Sequence, residues 1–141
     1  MADPAAPSIV EVMTDEVITV DRSQAVSEVY DLFQSRDIHH LPVMDGQRPI
    51  GMISAGDVLA LVYDIEDPSD RMMRTMLDHQ FTIDDAMTDE LDTLGLDATV
   101  HDAADRLADG DHHSVVVVDA TGHLAGIVTS TDLIRYLRDH S

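Results

Sequence analysis

A chain of 141 residues, 44% of them hydrophobic, is long enough to bury a core and short enough to fold as one compact unit. Its formal net charge of −20 comes from 28 acidic residues against eight Arg with no Lys; with no basic stripe to displace phosphate counterions, nucleic acid and anionic membranes are poor partners. The absence of Cys excludes a disulfide framework, a thiolate metal site and a Cys nucleophile. Asp outnumbers Glu by 23 to five, a balance that fits a salt-loving source as well as a GC-rich mesophile. The opening Met1-Ala2-Asp3-Pro4 has no basic region or apolar run of signal-peptide length, and no segment approaches the ~18 apolar residues of a membrane span, so a cytoplasmic location is expected.

In chain order, residues 1–8 read as a flexible tail, and a first module is expected over 9–63. It opens with a short strand at Ile18-Thr19-Val20 and a helix from Ser23 to Ser35 that places Val26, Val29, Tyr30 and Phe33 on one face at the 3.6-residue period. Leu41-Pro42-Val43-Met44 and Ile50 to Ile53 then read as strands about a Gly-containing turn, and a closing helix carries Val58, Leu59 and Val62. Residues 64–82 form a helical connector, with Asp67-Pro68-Ser69 as the start of a helix whose face holds Met72, Met73, Met76 and Leu77. That face suits either the core or a dimer contact, because Met adapts to irregular surfaces. A second module is expected over 83–141: a strand near Leu94, a helix with Val100, Ala103, Ala104 and Leu107, strands at Ser114 to Val118 and Leu124 to Val128, and a closing helix with Leu133, Ile134 and Leu137.

The two modules are copies. An offset of 74 aligns Ile9-Val10-Glu11-Val12-Met13-Thr14 with Ile83-Asp84-Asp85-Ala86-Met87-Thr88, and continues through Val26 with Val100, Phe33 with Leu107, His39 with His113 and Asp45 with Asp119. One extra residue in the turn Ala120-Thr121-Gly122-His123 shifts the offset to 75, so that Gly51 meets Gly126 and Asp57 meets Asp132.

Each copy ends its last strand on the same pattern, Gly51-Met52-Ile53-Ser54-Ala55-Gly56-Asp57 and Gly126-Ile127-Val128-Thr129-Ser130-Thr131-Asp132. The hydroxyl and the carboxylate three residues on suit a helix N-cap and need no ligand for that. The same geometry suits a ligand: free N–H groups at a helix start attract phosphate, and a carboxylate accepts two hydrogen bonds from a ribose diol. Both readings stand.

The repeat length, the Met-Thr openings, Leu41-Pro42-Val43 and the duplicated G-h-h-[S/T]-x-x-D together resemble the cystathionine-β-synthase (CBS) domain family over Ile9 to Leu137. The resemblance implies an α/β fold of two tandem βαββα modules packed about a pseudo-two-fold axis, with two clefts that hold adenosine derivatives. It assigns Asp57 and Asp132 to ribose hydroxyls, Ser54 and Thr129 to phosphate or ribose, Thr131 to phosphate, Gly56 to the ligand-binding turn, and Thr19 and Val20, with the region of Leu94, to adenine. Where such domains often carry a basic residue for phosphate, after the positions of His39 and His113, this chain has His40 and Ser114, so the two clefts are unequal. His40 adds a group whose protonation near neutral pH tunes an anion site.

The resemblance further implies a non-enzymatic sensor of AMP, ADP or ATP, with Mg²⁺ as an accompanying ion, that forms a homodimer through its module helices and signals to an effector protein. Another adenosyl ligand, S-adenosylmethionine or NAD, and an empty interaction scaffold are the rival readings. His39-His40 and His112-His113 do not read as metal sites, because neighbouring strand residues point to opposite faces. No nucleophile–base pair, P-loop or nucleophile elbow appears, so no catalytic residue is assigned.

Overall fold

The computed structural model describes residues 6–62, 70–110 and 113–140. Among them the fold is mixed α/β, with two three-stranded sheets and six helices. By packing the chain divides into a continuous unit, Ile18–Glu90, and a split unit built from Met1–Val17 with Leu91–Ser141.

In the continuous unit β1 (Val20–Asp21) lies parallel to β2 (His40–Asp45), with Val20 opposite Val43, and β2 runs antiparallel to β3 (Arg48–Ser54). The β2–β3 turn contains Gly46 at φ 66°, a left-handed backbone that glycine adopts without a Cβ clash. Helix α1 (Val26–Ser35) connects the parallel strands, and α2 (Ala55–Val62), α3 (Asp70–Gln80) and the single turn α4 (Ile83–Ala86) complete the unit. The apolar stripe of α1 meets the alternating apolar residues of the strands, burying Val20, Val26, Val29, Leu41, Val43, Ile53, Val58, Leu77 and Ile83 in one core. α1 starts at Val26, later than its apolar periodicity predicts. The Asp21 carboxylate accepts hydrogen bonds from the Ser23 backbone N–H (3.0 Å) and hydroxyl (2.7 Å), forming a turn that holds residues 21–24 out of the helix. Those bonds, the hydroxyl's first, hold Asp21 below the ordinary carboxylate range.

The split unit repeats the plan with β4 (Thr93–Gly95) parallel to β5 (Ser114–Val118), β5 antiparallel to β6 (Leu124–Thr129), and helices α5 (Val100–Ala108) and α6 (Ser130–His140). Its core holds Ile9, Val12, Ala98, Ala103, Leu107, Val115, Val117 and Val128. Pro7 and Ser8 are tied down here: the Val100 N–H donates to the Pro7 carbonyl at 2.9 Å, and Ser8 bridges to Thr99. In the connector, Leu77 is fully buried and Met76 half-buried; Asp67-Pro68-Ser69 and the side chains of Met72 and Met73 lie outside the described residues.

Packing cuts the chain differently from its repeat. Ile83 to Thr88, which open the second copy in sequence, pack inside the continuous unit; Ile9 to Thr14, which open the first, pack inside the split unit. Thr88 and Met52 exchange backbone hydrogen bonds of 2.8 and 2.9 Å, and Thr14 and Ile127 do the same at 2.9 Å each. Each Met-Thr segment thus pairs with the last strand of a sheet just ahead of the repeated turn, and a glycine makes room for it. A Cβ at Gly51 would stand 2.7 Å from both the Thr88 carbonyl oxygen and Met87 Sδ; one at Gly126 would stand 2.8 Å from the Thr14 oxygen and 2.7 Å from Met13 Sδ.

Candidate functional site

The two G-h-h-[S/T]-x-x-D turns have nearly the same geometry. At the start of α2 the Ser54 N–H donates to Asp57 Oδ2 at 3.0 Å, and the Asp57 N–H donates to Ser54 Oγ at 3.0 Å. At the start of α6 the Thr129 N–H donates to Asp132 Oδ2 at 2.8 Å, and the Asp132 N–H to Thr129 Oγ1 at 3.3 Å. Each is a reciprocal cap, satisfying two N–H groups that a helix start otherwise leaves unpaired.

The cap does not exhaust the carboxylate. Among the described residues both aspartates bond through Oδ2 alone, which leaves the acceptor capacity of Oδ1 to water or a ligand. Capping and diol binding are therefore compatible uses of one side chain. One difference separates the turns: the Thr129 hydroxyl donates its own proton to Asp132 Oδ2 at 3.0 Å, whereas the Ser54 hydroxyl only accepts, keeping its proton for another acceptor.

The residues singled out in the sequence gather in two groups. In the continuous unit His40 stands opposite Ser54 across the β2–β3 ladder, and the His39 carbonyl accepts the Ala55 N–H at 2.9 Å, so both flank the start of α2. The His39 ring is turned outward, with 77% of its side chain exposed and Asp37 at 3.9 Å. Gly56 is exposed, and a Cβ there would meet only Ser54 Oγ at an ordinary 3.7 Å, so no steric need fixes glycine at this position. Thr19 is half-buried beside β1, while the Val20 side chain is fully buried in the core, leaving only its backbone for a ligand. In the split unit Ser114 takes the place of His40, opposite Thr129, and is itself buried; His113 and Thr131 are exposed.

Reading the sequence missed the Met-Thr straps, whose pairing with Met52 and Ile127 positions each turn from behind. Their signal was present in the recurrence of Met-Thr and of a glycine at the head of each motif, but a repeat alone does not say which copy's strap serves which sheet. Among the described residues, no group of three His, Asp or Glu side chains is placed to hold a metal ion, and no helix is long and apolar enough to cross a membrane.

Comparison with known proteins identifies the repeat and its fold. The CBS domain pattern matches residues 9–64 and 83–139. The uncharacterized protein MJ1404 of Methanocaldococcus jannaschii is 28% identical over 138 residues, covering 93% of this chain and 32% of that protein. This chain spans less than half the length of the curated relatives it matches. The CBS-pair protein CBSX2 from Arabidopsis thaliana has the same fold, with a TM-score of 0.79 at 24% identity and 96% of each chain covered; it is also known in complex with AMP. The CBS domain pair of protein MJ0100, in complex with 5′-methylthioadenosine and S-adenosylmethionine, superposes with a TM-score of 0.76 at 22% identity over 96% of this chain and 99% of that one.

Proposed function

The chain belongs to the CBS domain family, and from that premise we propose that it is a regulatory pair that binds an adenine nucleotide at its two capped turns and catalyses no reaction. One observation carries the reading: in both units a carboxylate caps the helix that follows the last strand through one oxygen and keeps the other for a diol, at the place where a hydroxyl and free helix N–H groups meet. Ligand acts by biasing one arrangement of the protein over another, to the extent that its affinities for the two differ, and the output passes to an effector protein. Mg²⁺ accompanies the more highly phosphorylated nucleotides, offsetting part of the repulsion from a chain of net charge −20.

The second reading, an S-adenosylmethionine or NAD site, is favoured by that same charge, and the AMP-bound and S-adenosylmethionine-bound structures of similar pairs support either ligand class. The working form is a homodimer. Leu59 on α2 and Ile134 on α6 occupy equivalent positions and are 54% and 65% exposed, with Leu137 beside the latter at 63%. Wild type sediments as a dimer and a Leu59→Asp, Ile134→Asp double variant as a monomer; a monomeric wild type refutes this part.

A thermal-shift and calorimetric panel of AMP, ADP, ATP, S-adenosylmethionine and NAD, at low and high salt, decides among the readings. The true ligand at 100 times its dissociation constant stabilises the fold by about 2.7 kcal/mol. Asp57→Asn with Asp132→Asn weakens binding tenfold or more per site, yet barely moves the melting temperature, because the amide oxygen of Asn still accepts the capping N–H. If no compound shifts the melt, the chain is an interaction scaffold and the aspartates are caps alone.

A further inference from the structure

In a chain this acidic, arginines find carboxylates. Arg22 holds Asp84 at 2.9 Å, Arg74 holds Asp31 at 2.6 Å, Arg138 holds Asp139 at 3.0 Å, and Arg106 is paired with Asp92. Arg135, like Arg36 at the end of α1, is exposed, and among the described residues no hydrogen bond or ion pair reaches its guanidinium, but Arg135 alone of the two lies on a helix that starts at a capped turn. Asp132, three residues before it, and Asp139, four after it, are instead engaged with Thr129 and Arg138.

Its position on α6 gives that availability a meaning. At about 100° per residue Arg135 falls between Thr131 and Asp132 around the helix, roughly 40° from the first and 60° from the second. Leu133 and Tyr136 take the core side of α6, and Ile134 and Leu137 form a separate exposed apolar side. Arg135 lies about 4.5 Å along the axis from Asp132, and helical side chains lean toward the N-terminus, so its guanidinium arm is long enough to span the first turn toward a ligand there. Thr131, Asp132 and Arg135 therefore make one polar face at the mouth of the turn. The equivalent positions of α2 are Gly56, Asp57 and Ala60, a carboxylate flanked by residues with neither hydroxyl nor charge.

We propose that Arg135 is the specificity residue of the split unit's turn, selecting adenosine ligands that carry a phosphate by meeting that phosphate with its guanidinium while Asp132 holds the ribose. The inference rests on the adenosyl-site reading and adds to it: the split unit's turn discriminates AMP from adenosine through its helix, and the turn of the continuous unit, with Ala60, has no such contact.

The test isolates one turn in the full-length chain by Asp57→Asn and measures AMP and adenosine by calorimetry at low salt. With Arg135 present, AMP binds at least about tenfold tighter than adenosine, the scale of a charge-assisted bidentate contact. Arg135→Gln removes that preference and leaves adenosine affinity unchanged, and Arg135→Lys, a point charge without the fork, keeps part of it. An unchanged ratio of AMP to adenosine affinity in Arg135→Gln, or no preference before the substitution, overturns the proposal while leaving the adenosyl site intact. Should Asp132→Asn in the same background leave binding unchanged, the adenosyl-site reading itself falls. Because Arg135 is exposed, its variants keep the wild-type melt; the same ratio measured in the otherwise wild-type chain guards against misfolding of the Asp57→Asn background.

Discussion

The continuous and split units are built on one repeat and hold themselves together by different means. At three equivalent core positions the continuous unit has the larger residue, Val29 against Ala103, Leu41 against Val115 and Ile53 against Val128, while the split unit has the larger at Leu94 against Val20 and Leu133 against Val58; the continuous unit also adds α3. That helix inserts Leu77 into the core and is fixed to α1 by Arg74 with Asp31 and by Asp78, which accepts from the Ser27 N–H and hydroxyl at 3.0 and 2.7 Å. The caps are placed differently: Thr99 and Asp102 cap α5 reciprocally, where α1 begins on Ala25 with no side-chain cap, while the continuous unit has its capping box at α4, Thr82 with Asp85. The straps differ likewise, because Arg22 clasps Asp84 in one unit where the other has Leu96 and Val10, both exposed. The capped turns stay alike through all this. Different cores and differently placed caps thus stand under turns of nearly the same geometry.

Substitutions that strike one support test this contrast. Leu77→Ala deletes a buried side chain only the continuous unit possesses, and it costs that unit about 2–5 kcal/mol. Hydrogen exchange, which resolves the units separately, then shows the larger loss within residues 18–90; equal loss in both units breaks the contrast. Gly51→Ala and Gly126→Ala each force a Cβ against a strap carbonyl and cost about 1–3 kcal/mol, nearly equally in the two units, since the approach is 2.7 Å in one and 2.8 Å in the other. Both variants also weaken ligand binding at the turn in front of the displaced strap.

The smallest effect is on pH dependence. Hydrogen bonds from the Thr99 N–H and then its hydroxyl hold Asp102 below the ordinary carboxylate range, and the Thr121 hydroxyl and then the His123 N–H do the same for Asp119. A carboxylate with a depressed folded value stabilises the fold above its unfolded value, near 3.9, and the contribution disappears as pH falls through the folded value. Acid melting curves below about pH 4 therefore flatten in Asp102→Asn, measured as stability against pH; an unaltered acid limb removes the α5 cap from the list of supports.

Much of this organisation was legible in the residues. The offset from Val26 to Val100 and the extra residue in the second hairpin turn anticipate two sheets of the same order, because hydrophobic period and turn glycines are local signals. The capped turns were legible for the same reason, as every partner lies within three residues. The use of Ile9 to Thr14 and Ile83 to Thr88 was not, since backbone pairing of Thr88 with Met52 links distant positions through groups that every residue carries. The burial of Val20 was hidden in a similar way: Thr19 and Val20 read alike until the pairing of β1 with β2 turns one inward. The freedom of Arg135 is likewise a fact about what its neighbours already hold.

The offset between repeat and packing unit also shapes how the chain unfolds. Residues 18–90 are an insertion between the two pieces of the split unit, so the strap Ile9 to Thr14 reaches β6 only across the whole continuous unit. While that unit is folded, it spans the gap as a compact body. Once it melts, the split unit must close a long flexible loop to keep its own strap, at an entropic cost that grows with the logarithm of loop length. Whatever stabilises the continuous unit therefore also supports the pairing of Thr14 with β6, through chain connectivity.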